Sequence, residues 1–547
     1  MLSFIDIDST QGGDFAVCGT SSKPNDPTND PAHANEWSHE RDVRASMIQW
    51  LCARRLAVER VDPRGIRILG ARVVGPFDLS YLHVPFAIVM RRCAIPERTK
   101  LIATTIPHLD LSGSYTGEID ASGLSVGSDL DLGDGFHASG QVDLGNSKVG
   151  GNLNFSDGHL RHSRIPVAFT PAGFEQALNA IGISVGGWAL LCCGFEADGI
   201  VSFDGARIGQ DLHLYGGRFF DRNKDEFAFR AEASVIEGDV MLNAPWGKPF
   251  QSDGIVTFVS ARIGNNFFAD HAKFMGAPNE LHGLMLTGTS IRGMLVLFDS
   301  EFSGGALLDL SGATTGYLVD SEQSWPMRGK LLLDGYTYSG FYPGIPNLVP
   351  PSPSDASSRL RWLGLQSGFH SQPYRQLAKS LRETGDDAGA TTVLIAEQDA
   401  RYADHPLPVR LWAVFLKVTI GYGHRPLLAI FWSLAVILVG WGVVWIGRSA
   451  GVMRPTWPEN TPRSEDEPYE ELHPFLYSID VFFPFVNFHQ EHYWWPDAKL
   501  SGHRIILGRR ISFSGRSMRY YLWFQIAAGW LLSAIFLAGV TGLIRND

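Results

Sequence analysis

The chain has 547 residues, a formal net charge of −11 and a sequence pI of about 5.9. Its length leaves room for several domains, and its acidic balance argues against a nucleic-acid-binding surface. The five cysteines are irregularly placed and lack the spacing of a metal site, a pattern typical of a reducing compartment.

Residues 1–35 are predicted to form a disordered tail. Residues 1–15 carry Asp6, Asp8 and Asp14 and lack the basic start and long apolar core of a secretory signal peptide. Residues 19–35 are polar and rich in proline, which is the composition of a disordered segment.

A helical cap is predicted at residues 36–62. Apolar residues recur there at helical spacing. The repeat array that follows would otherwise begin with an open edge of unpaired backbone groups, which proteins normally cover. The apolar residues of this pattern are Trp37, Val43, Met47, Trp50, Leu51 and Leu56.

An internal repeat dominates the middle of the chain. The segment Asp198–Gly209 (DGIVSFDGARIG) recurs as Asp253–Gly264 (DGIVTFVSARIG), with a degenerate copy at Ala233–Leu242. The interval fits two coils of roughly 27 residues each, and repetition at this period is typical of a solenoid.

Each repeat has the pattern of at least two short strands joined by corners. An Ile or Val is followed by a nearby Gly and then by apolar residues four and six places later. A spacing of two is the period of a strand, and Gly allows the chain to turn. We therefore predict a mainly β fold, a parallel β-solenoid of about ten coils over residues 63–342, rather than a helical repeat or a propeller. The repeats start at Val73, Val126, Val149, Val185, Ile208, Ile236, Ile263 and Ile291.

Two adjacent cysteines, Cys192 and Cys193, lie within this array. We interpret them as small apolar residues of a strand, with a redox pair as the alternative.

Residues 343–355 form a proline-rich linker that stops both strands and helices. A helical hairpin is predicted after it, at residues 356–404. Pro373 suits a helix start, Leu377 and Leu381 share one face, and Gly385 suits a helix end.

Two long uncharged runs predict transmembrane helices at residues 426–447 and 520–544. Each exceeds the roughly 20 residues needed to cross the hydrocarbon core. Small residues repeat along the second span, a pattern that lets helices approach closely, either between the two spans or in a homo-oligomer. This stripe consists of Ala534, Ala538 and Gly542.

Residues 405–425 are predicted to form an interfacial helix and a hinge before the first span. The hinge contains Thr419-Ile-Gly-Tyr-Gly423, which resembles a potassium-channel filter. A filter needs a spanning helix on both sides, and charged residues upstream exclude the first of these, so we interpret the motif as a hinge.

The loop between the spans, residues 448–519, contains an apolar but short segment, residues 472–488, which we predict to be interfacial or re-entrant. His489-Gln-Glu-His492 lacks the spacing of a zinc-protease helix, so no metal is predicted. The candidate membrane-proximal functional residues are Asp480, Pro484, Asn487, His489 and Glu491.

The membrane orientation has two opposing signals. The solenoid is expected to be cytoplasmic because no signal peptide precedes it. The inter-span loop carries an arginine cluster that favours a cytoplasmic loop instead, although the positive-inside rule weakens for long loops. We expect the first arrangement. The cluster consists of Arg504, Arg509, Arg510, Arg516 and Arg519.

No dinucleotide-binding, phosphate-loop or nucleophile-elbow motif occurs, and no catalytic set stands out, so we predict neither an enzyme nor a cofactor.

The order of parts along the chain resembles that of the pentapeptide-repeat-like, membrane-anchored proteins of bacteria. The matching segments are Gly65–Leu79 at the solenoid start, Gln372–Arg382 in the hairpin, Tyr477–Asp480 with Pro484, and Gly529–Leu532. The resemblance implies a long solenoid with two C-terminal spans in the bacterial inner membrane.

The sequence therefore predicts a scaffold or protein-binding module held at the cytoplasmic face of the membrane, with lipid and protein partners and no nucleic acid. One alternative is a subunit of an oligomeric channel or membrane effector that uses the solenoid as a sensor. A more distant alternative is a membrane-associated oxidoreductase, a label that some members of the resembling family carry.

Overall fold

The computed structural model describes residues 15–161, 176–220, 227–243, 247–276, 283–344, 351–456, 471–483, 485–506 and 509–541. The chain divides into two compact units, residues 1–390 and 391–547. The first unit contains three large parallel β-sheets, and the second is mainly helical. The predicted parallel stacking of short strands and the two apolar C-terminal helices are confirmed.

Sheet 1 has 21 strands and carries two strands from most coils. Its strands are Ala16–Val17, Ile66–Leu69, Ile88–Arg91, Thr105–Ile106, Leu109–Asp110, Ser125–Val126, Leu130–Asp131, Lys148–Val149, Leu153–Asn154, Ser184–Val185, Ala189–Leu190, Arg207–Ile208, Leu212–His213, Val235–Ile236, Val240–Met241, Arg262–Ile263, Phe267–Phe268, Ser290–Ile291, Met294–Val296, Thr314–Val319 and Thr337–Phe341.

Sheets 2 and 3 have 11 strands each. Sheet 2 consists of Asp42–Arg44, Arg72–Val74, Ala94–Ile95, Tyr115–Thr116, His137–Ala138, His159–Arg161, Glu196–Asp198, Arg218–Phe220, Gln251–Ser252, Lys273–Met275 and Glu301–Ser303. Sheet 3 consists of Phe77–Asp78, Thr99–Lys100, Ile119–Asp120, Val142–Asp143, Gln176–Asn179, Ile200–Ser202, Phe227–Arg230, Ile255–Thr257, Gly283–Met285, Leu307–Asp309 and Leu331–Leu332.

A single coil therefore contributes four short strands, one to sheet 3, two to sheet 1 and one to sheet 2. The coil that starts at Ile119–Asp120 continues through Ser125–Val126 and Leu130–Asp131 to His137–Ala138. Each strand pairs in parallel with the equivalent strand of the next coil, as Leu130 does with Leu153. The apolar pattern predicted two of the four strands.

The core lies inside the coils and is built from side chains that stack from one coil to the next. Leu212 and Phe267 are fully buried, as their position in the repeat predicts. An aromatic column runs through Phe155, Phe195 and Phe219, whose neighbouring ring centroids are 6.2 and 5.4 Å apart. No coil encloses a core of its own, so each buries its apolar face against its neighbours.

The N-terminal residues differ from the sequence-based expectation in two ways. Ala16–Val17 pairs with Ile68–Leu69, and the buried Asn29 side chain donates to the carbonyl of Ser21 (2.8 Å), so residues 15–35 are ordered rather than disordered. Their short polar residues form capping turns, which is why a disorder-like composition folds. Residues 1–14 lie outside the described residues.

The predicted helix at residues 36–62 is also interrupted. Asp42–Arg44 is a strand, and Val43 pairs with Val73 at the edge of sheet 2. The helices here are α1 (Ala45–Ala53) and α2 (Arg55–Val58). A strand here supplies hydrogen-bond partners to the open edge at Arg72–Val74, which a helix cannot do because its backbone bonds are internal, and this overrides the helical periodicity. Short 3₁₀ turns are at Pro27–Asn29, Pro31–Glu36 and His39–Arg41.

A ladder of Asp and Asn side chains runs along a bend of sheet 1. The Oδ1 atom of Asp211 accepts from the backbone N–H of Asp239 (2.8 Å), and Oδ1 of Asp239 accepts from that of Asn266 (2.8 Å). Oδ1 of Asn266 accepts in turn from the N–H of Met294 (2.9 Å). Asp211 and Asn266 alternate with the inward residues Leu212 and Phe267, so the period of two predicts that they are outward and dispensable. The structure corrects this, because they bond one coil to the next.

A buried ion pair lies beyond the last repeats. Both guanidinium Nη atoms of Arg359 donate to the carboxylate of Asp320, at 2.7 and 2.6 Å, and both side chains are buried. The guanidinium also stacks on Phe341, 3.7 Å from the ring centroid. A bidentate pair that is fully hydrogen-bonded tolerates burial, whereas loss of either partner would leave a buried charge.

The segment after the solenoid is helical. It comprises α3 (Ala356–Leu363), α4 (Ser371–Glu383) and α5 (Asp387–Tyr402). A 3₁₀ turn at Glu322–Ser324 lies earlier, between the last strands of the solenoid. Helix α4 begins two residues before Pro373, which lies in its first turn. Residues 345–350 of the proline-rich linker lie outside the described residues.

The second unit contains the apolar helices. Helices α7 (Leu427–Ser449) and α10 (Gly515–Val540) are long and apolar enough to cross a membrane. Most of their apolar surface is exposed, unlike that of a core helix in a soluble protein. The remaining elements are α6 (Leu407–Ile420), a 3₁₀ turn at Gly421–Gly423, α8 (Pro474–Phe482), α9 (Gln490–Tyr493), and two antiparallel pairs, Met453–Pro455 with Trp494–Pro496 and Ser501–Ile506 with Arg509–Ser514.

Substitutions along one bend test the stack. Leu212→Ala is expected to reduce the free energy of unfolding by roughly 2–5 kcal/mol, because it opens a cavity in the core. Asp211→Ala leaves the N–H of Asp239 without its acceptor and is expected to cost about 1–3 kcal/mol. Gln210→Ala, at an exposed neighbour, is the control and is expected to stay within about 0.5 kcal/mol of wild type. Denaturant unfolding of the detergent-solubilised protein measures all three; equal effects at residues 210 and 211 would contradict the ladder.

Candidate functional site between the apolar helices

Helix α8 packs between α7 and α10 and forms the centre of the second unit. Tyr477 and Val481 of α8 are buried against Val444 of α7 and against Met518 and Leu522 of α10. A side chain at Gly529 of α10 would collide with the carbonyl oxygen of Phe482, so a glycine lets the two backbones approach. The predicted interfacial or re-entrant segment is thus a helix held between the two apolar helices.

Asp480 holds the return of the chain after α8. Its Oδ1 accepts from the backbone N–H of Phe488 at 2.7 Å, and its Oδ2 accepts from that of Glu491 at 3.1 Å. The carboxylate is buried. Buried carboxylates need such donors, so Asp480 has a clear role in fixing residues 488–491.

Asn487 and His489 shape the same turn. The Oδ1 atom of Asn487 accepts from the backbone N–H of His489 at 2.8 Å, and His489 adopts a left-handed conformation with φ of 60°. The rings of His489 and His492 are 6.2 Å apart. Among the described residues no group of three or more His, Cys, Asp or Glu side chains could hold a metal ion.

Glu491 is the titratable group that this arrangement perturbs. Partial burial raises the pKa of the Glu491 carboxyl, and the nearby Asp480 carboxylate raises it further. The structure therefore brings Asp480, Asn487, His489 and Glu491 together in one turn, while Pro484 lies outside the described residues.

A polar contact inside the helix bundle has no counterpart among the predicted site residues. Nε2 of Gln525, which is fully buried in α10, donates to the carbonyl and the hydroxyl oxygen of Ser478, both at 2.8 Å. The hydroxyl of Ser478 donates to the carbonyl of Ile437 in α7 at 2.7 Å. A side chain at Gly440 would collide with this cluster. Gln525 is the one amide in the second uncharged run, and a search for charges alone overlooks it.

The filter-like motif forms the connection between α6 and α7 in this structure. The Thr419 hydroxyl donates to the carbonyl of Phe415 (2.8 Å) within α6, and Tyr422 has a left-handed φ of 56°. The Tyr422 hydroxyl and Lys417 Nζ both donate to Asp399, at 3.0 and 2.7 Å. These contacts tie this connection to α5.

The predicted small-residue stripe does not form the contact between α7 and α10. Gly529 and Gly539 lie on the buried face of α10, whereas Ala534 is exposed and Ala538 is half-buried. Gly542 lies outside the described residues. Oligomerisation through this stripe stays a prediction.

The cysteine pair on the solenoid also differs from its prediction. Cys192 is buried, but Cys193 is exposed and lies at a corner with φ of 66°, not in a strand. The two sulfur atoms are 2.9 Å apart.

Comparisons with protein-family models, with curated proteins and with solved structures find no match to this chain.

The pKa of Glu491 generates a pH-dependent prediction. Because the folded state raises this pKa, the proton binds more tightly in the folded state. The resulting stability is present below the unfolded pKa and is lost as pH rises through the folded pKa. Glu491→Gln is therefore expected to raise the unfolding midpoint near neutral pH and to change it little near pH 4.

Thermal unfolding in detergent across this pH range, with Glu471→Gln as control, measures the effect. Glu471 is exposed in the same inter-span loop. An equal gain for Glu491→Gln at both pH values would contradict the assignment.

Proposed function

We propose that this protein is a membrane-anchored β-solenoid that acts as a protein-binding or scaffolding module at the cytoplasmic face of the membrane. The observation that carries the proposal is the joining, in one chain, of a long parallel stack of coils to two exposed apolar helices. Solenoids present extended regular surfaces, which they use for binding, and apolar helices of this length suit a bilayer.

Helix α6 supports the anchoring part of the proposal. Leu407, Leu411, Val414 and Val418 are all exposed and follow the spacing of one helical face. Trp412, beside them, is also exposed. An apolar face directly before an apolar helix suits the membrane interface, where aromatic side chains are favoured.

The solenoid ends support the finer architecture of about ten coils with an N-terminal cap. At one end, Nε2 of Gln49 in α1 donates to the carbonyl of Asp78 (2.9 Å), on the edge strand of sheet 3. At the other, Nε2 of Gln376 in α4 donates to the carbonyl of Tyr338 (2.6 Å), in the strand Thr337–Phe341. The four short strands of each coil also support membership of the pentapeptide-repeat-like, membrane-anchored group of bacterial proteins.

The contacts of Asp480 favour the scaffold over a channel. A lining carboxylate needs lone pairs directed at water or ions. Both oxygens of Asp480 instead accept from backbone N–H groups, and the side chain is buried. In the proposed scaffold, Asp480 holds the inter-span segment in place.

Site-specific photo-crosslinking in the full chain tests the proposal. A photoreactive residue at Lys148 or Ser290, which are exposed on sheet 1, is expected to yield a discrete cytoplasmic-protein adduct in the membrane fraction. The same residue at Leu438, exposed on α7, is the control and is expected to give no such adduct.

Planar-bilayer recording of the purified protein tests the alternative function, a channel. The scaffold predicts no conductance. Reproducible single-channel currents that Asp480→Asn abolishes and Glu471→Gln preserves, together with no adduct at the solenoid positions, would instead assign a channel.

A further inference from the structure

The corner that contains Cys192 and Cys193 has features that the solenoid itself does not require. The equivalent corner positions of the adjacent coils are occupied by Asp157 and Gly216, with φ of 58° and 67°. Asp and Gly are common in this left-handed region, whereas other residues adopt it at some cost. Other corners of the solenoid carry Ala103, Ala233 and Ser260 in the same conformation, so the turn tolerates several residue types and does not by itself select a cysteine at residue 193.

The backbone holds the two thiols in place. The N–H of Cys193 donates to the carbonyl of Tyr215 (3.0 Å), and the carbonyl of Cys192 accepts from the N–H of Asp157 (3.0 Å). Both bonds run to neighbouring coils, so the corner is fixed on either side. The sulfur atoms are 2.9 Å apart and must approach to about 2.05 Å to form a bond. Adjacent Cα atoms are closer together than those of most disulfides, so the ring that closes is strained and the bond is readily reduced.

The environments of the two sulfurs differ. Cys193 is exposed, while Cys18 is half-buried and Cys52 and Cys93 are buried, so Cys193 is the thiol most open to a reagent. Burial raises the pKa of Cys192 to about 12, which keeps it protonated. The hydroxyl of Ser156 is 3.5 Å from the Cys192 sulfur, and that of Tyr215 also contacts it.

We propose that Cys192 and Cys193 are a site of reversible oxidation, at which a hydroperoxide converts the dithiol to a disulfide between adjacent residues. The Cys193 thiolate attacks the peroxide, the O–O bond breaks, and an alcohol or water leaves as sulfenic acid forms on Cys193. The Cys192 sulfur then attacks that sulfur and the S–O bond breaks. The hydroxyl group leaves with the Cys192 proton as water. The hydroxyls of Ser156 and Tyr215, beside the Cys192 sulfur, are placed to assist this proton transfer.

In the overall reaction, one dithiol and one hydroperoxide give one disulfide, one alcohol and one water. The dithiol loses two electrons and the peroxide gains them. A cellular thiol reverses the reaction by exchange. This inference does not depend on the proposed scaffolding function.

Treatment of the purified full-length protein with hydrogen peroxide tests the site. Two of the five thiols are expected to be lost under non-denaturing conditions. Peptide mass spectrometry should find the peptide that contains residues 192 and 193 lighter by two hydrogens, and dithiothreitol should restore it. Cys192→Ser is expected to stop at sulfenic or sulfinic acid on Cys193, while Cys193→Ser should leave residue 192 unmodified.

Cys52→Ser is the matched control and should leave the disulfide yield unchanged, because Cys52 is buried elsewhere in the chain. If a variant fails to fold, the wild-type measurement still tests the proposal. Oxidation that begins at Cys18, disulfides between chains, or unchanged thiols after a tenfold excess of peroxide would each overturn the proposal.

Discussion

The structure depends on the contact between successive coils. A coil of four short strands has too little apolar surface to enclose a core, so its inward side chains pack against those of the neighbouring coils. Its backbone N–H groups likewise donate to carbonyls of the neighbouring coils. Leu212 and Phe267 fill the interior, and the Asp211–Asp239–Asn266 ladder fixes the bend. At the N-terminal end, strands from the preceding segment pair with strands of the first coils. At the other end, the side chains of Gln372 and Gln376 donate to the carbonyls of Tyr336 and Tyr338.

The repeat predicted the parallel stack because inward apolar residues recur at the same place in every coil. Two strands per coil were missed, since their inward residues include small ones such as Ala138, which carry little periodic signal. The strand at Val43 was predicted as helix, because only the edge of sheet 2 determines its conformation. The role of Asp211 was missed for a similar reason: its partner is a backbone N–H of the next coil, and no side-chain pattern records such a partner.

In the second unit, composition located the apolar helices but not what holds them. Of the predicted site residues, Asp480, Asn487, His489 and Glu491 meet at one turn, and both carboxylate oxygens of Asp480 accept from backbone N–H groups. The bundle is fixed by Gln525, Ser478 and Gly440, which combine one buried amide, one hydroxyl and a close backbone approach. Inside a bilayer such polar contacts have no water to replace them.

The central claim is that the two apolar helices anchor a cytoplasmic solenoid. Topology reporters in the full chain test it most directly, with one fused before Glu36, one after Asp547 and one inserted at Thr461 between the helices. Two spans return the chain to its starting side, so the account predicts cytoplasmic signals from both ends and a signal from the opposite side at residue 461. A cytoplasmic signal at residue 461, with both ends on the far side, would show that the inter-span arginines set the orientation and would contradict the account.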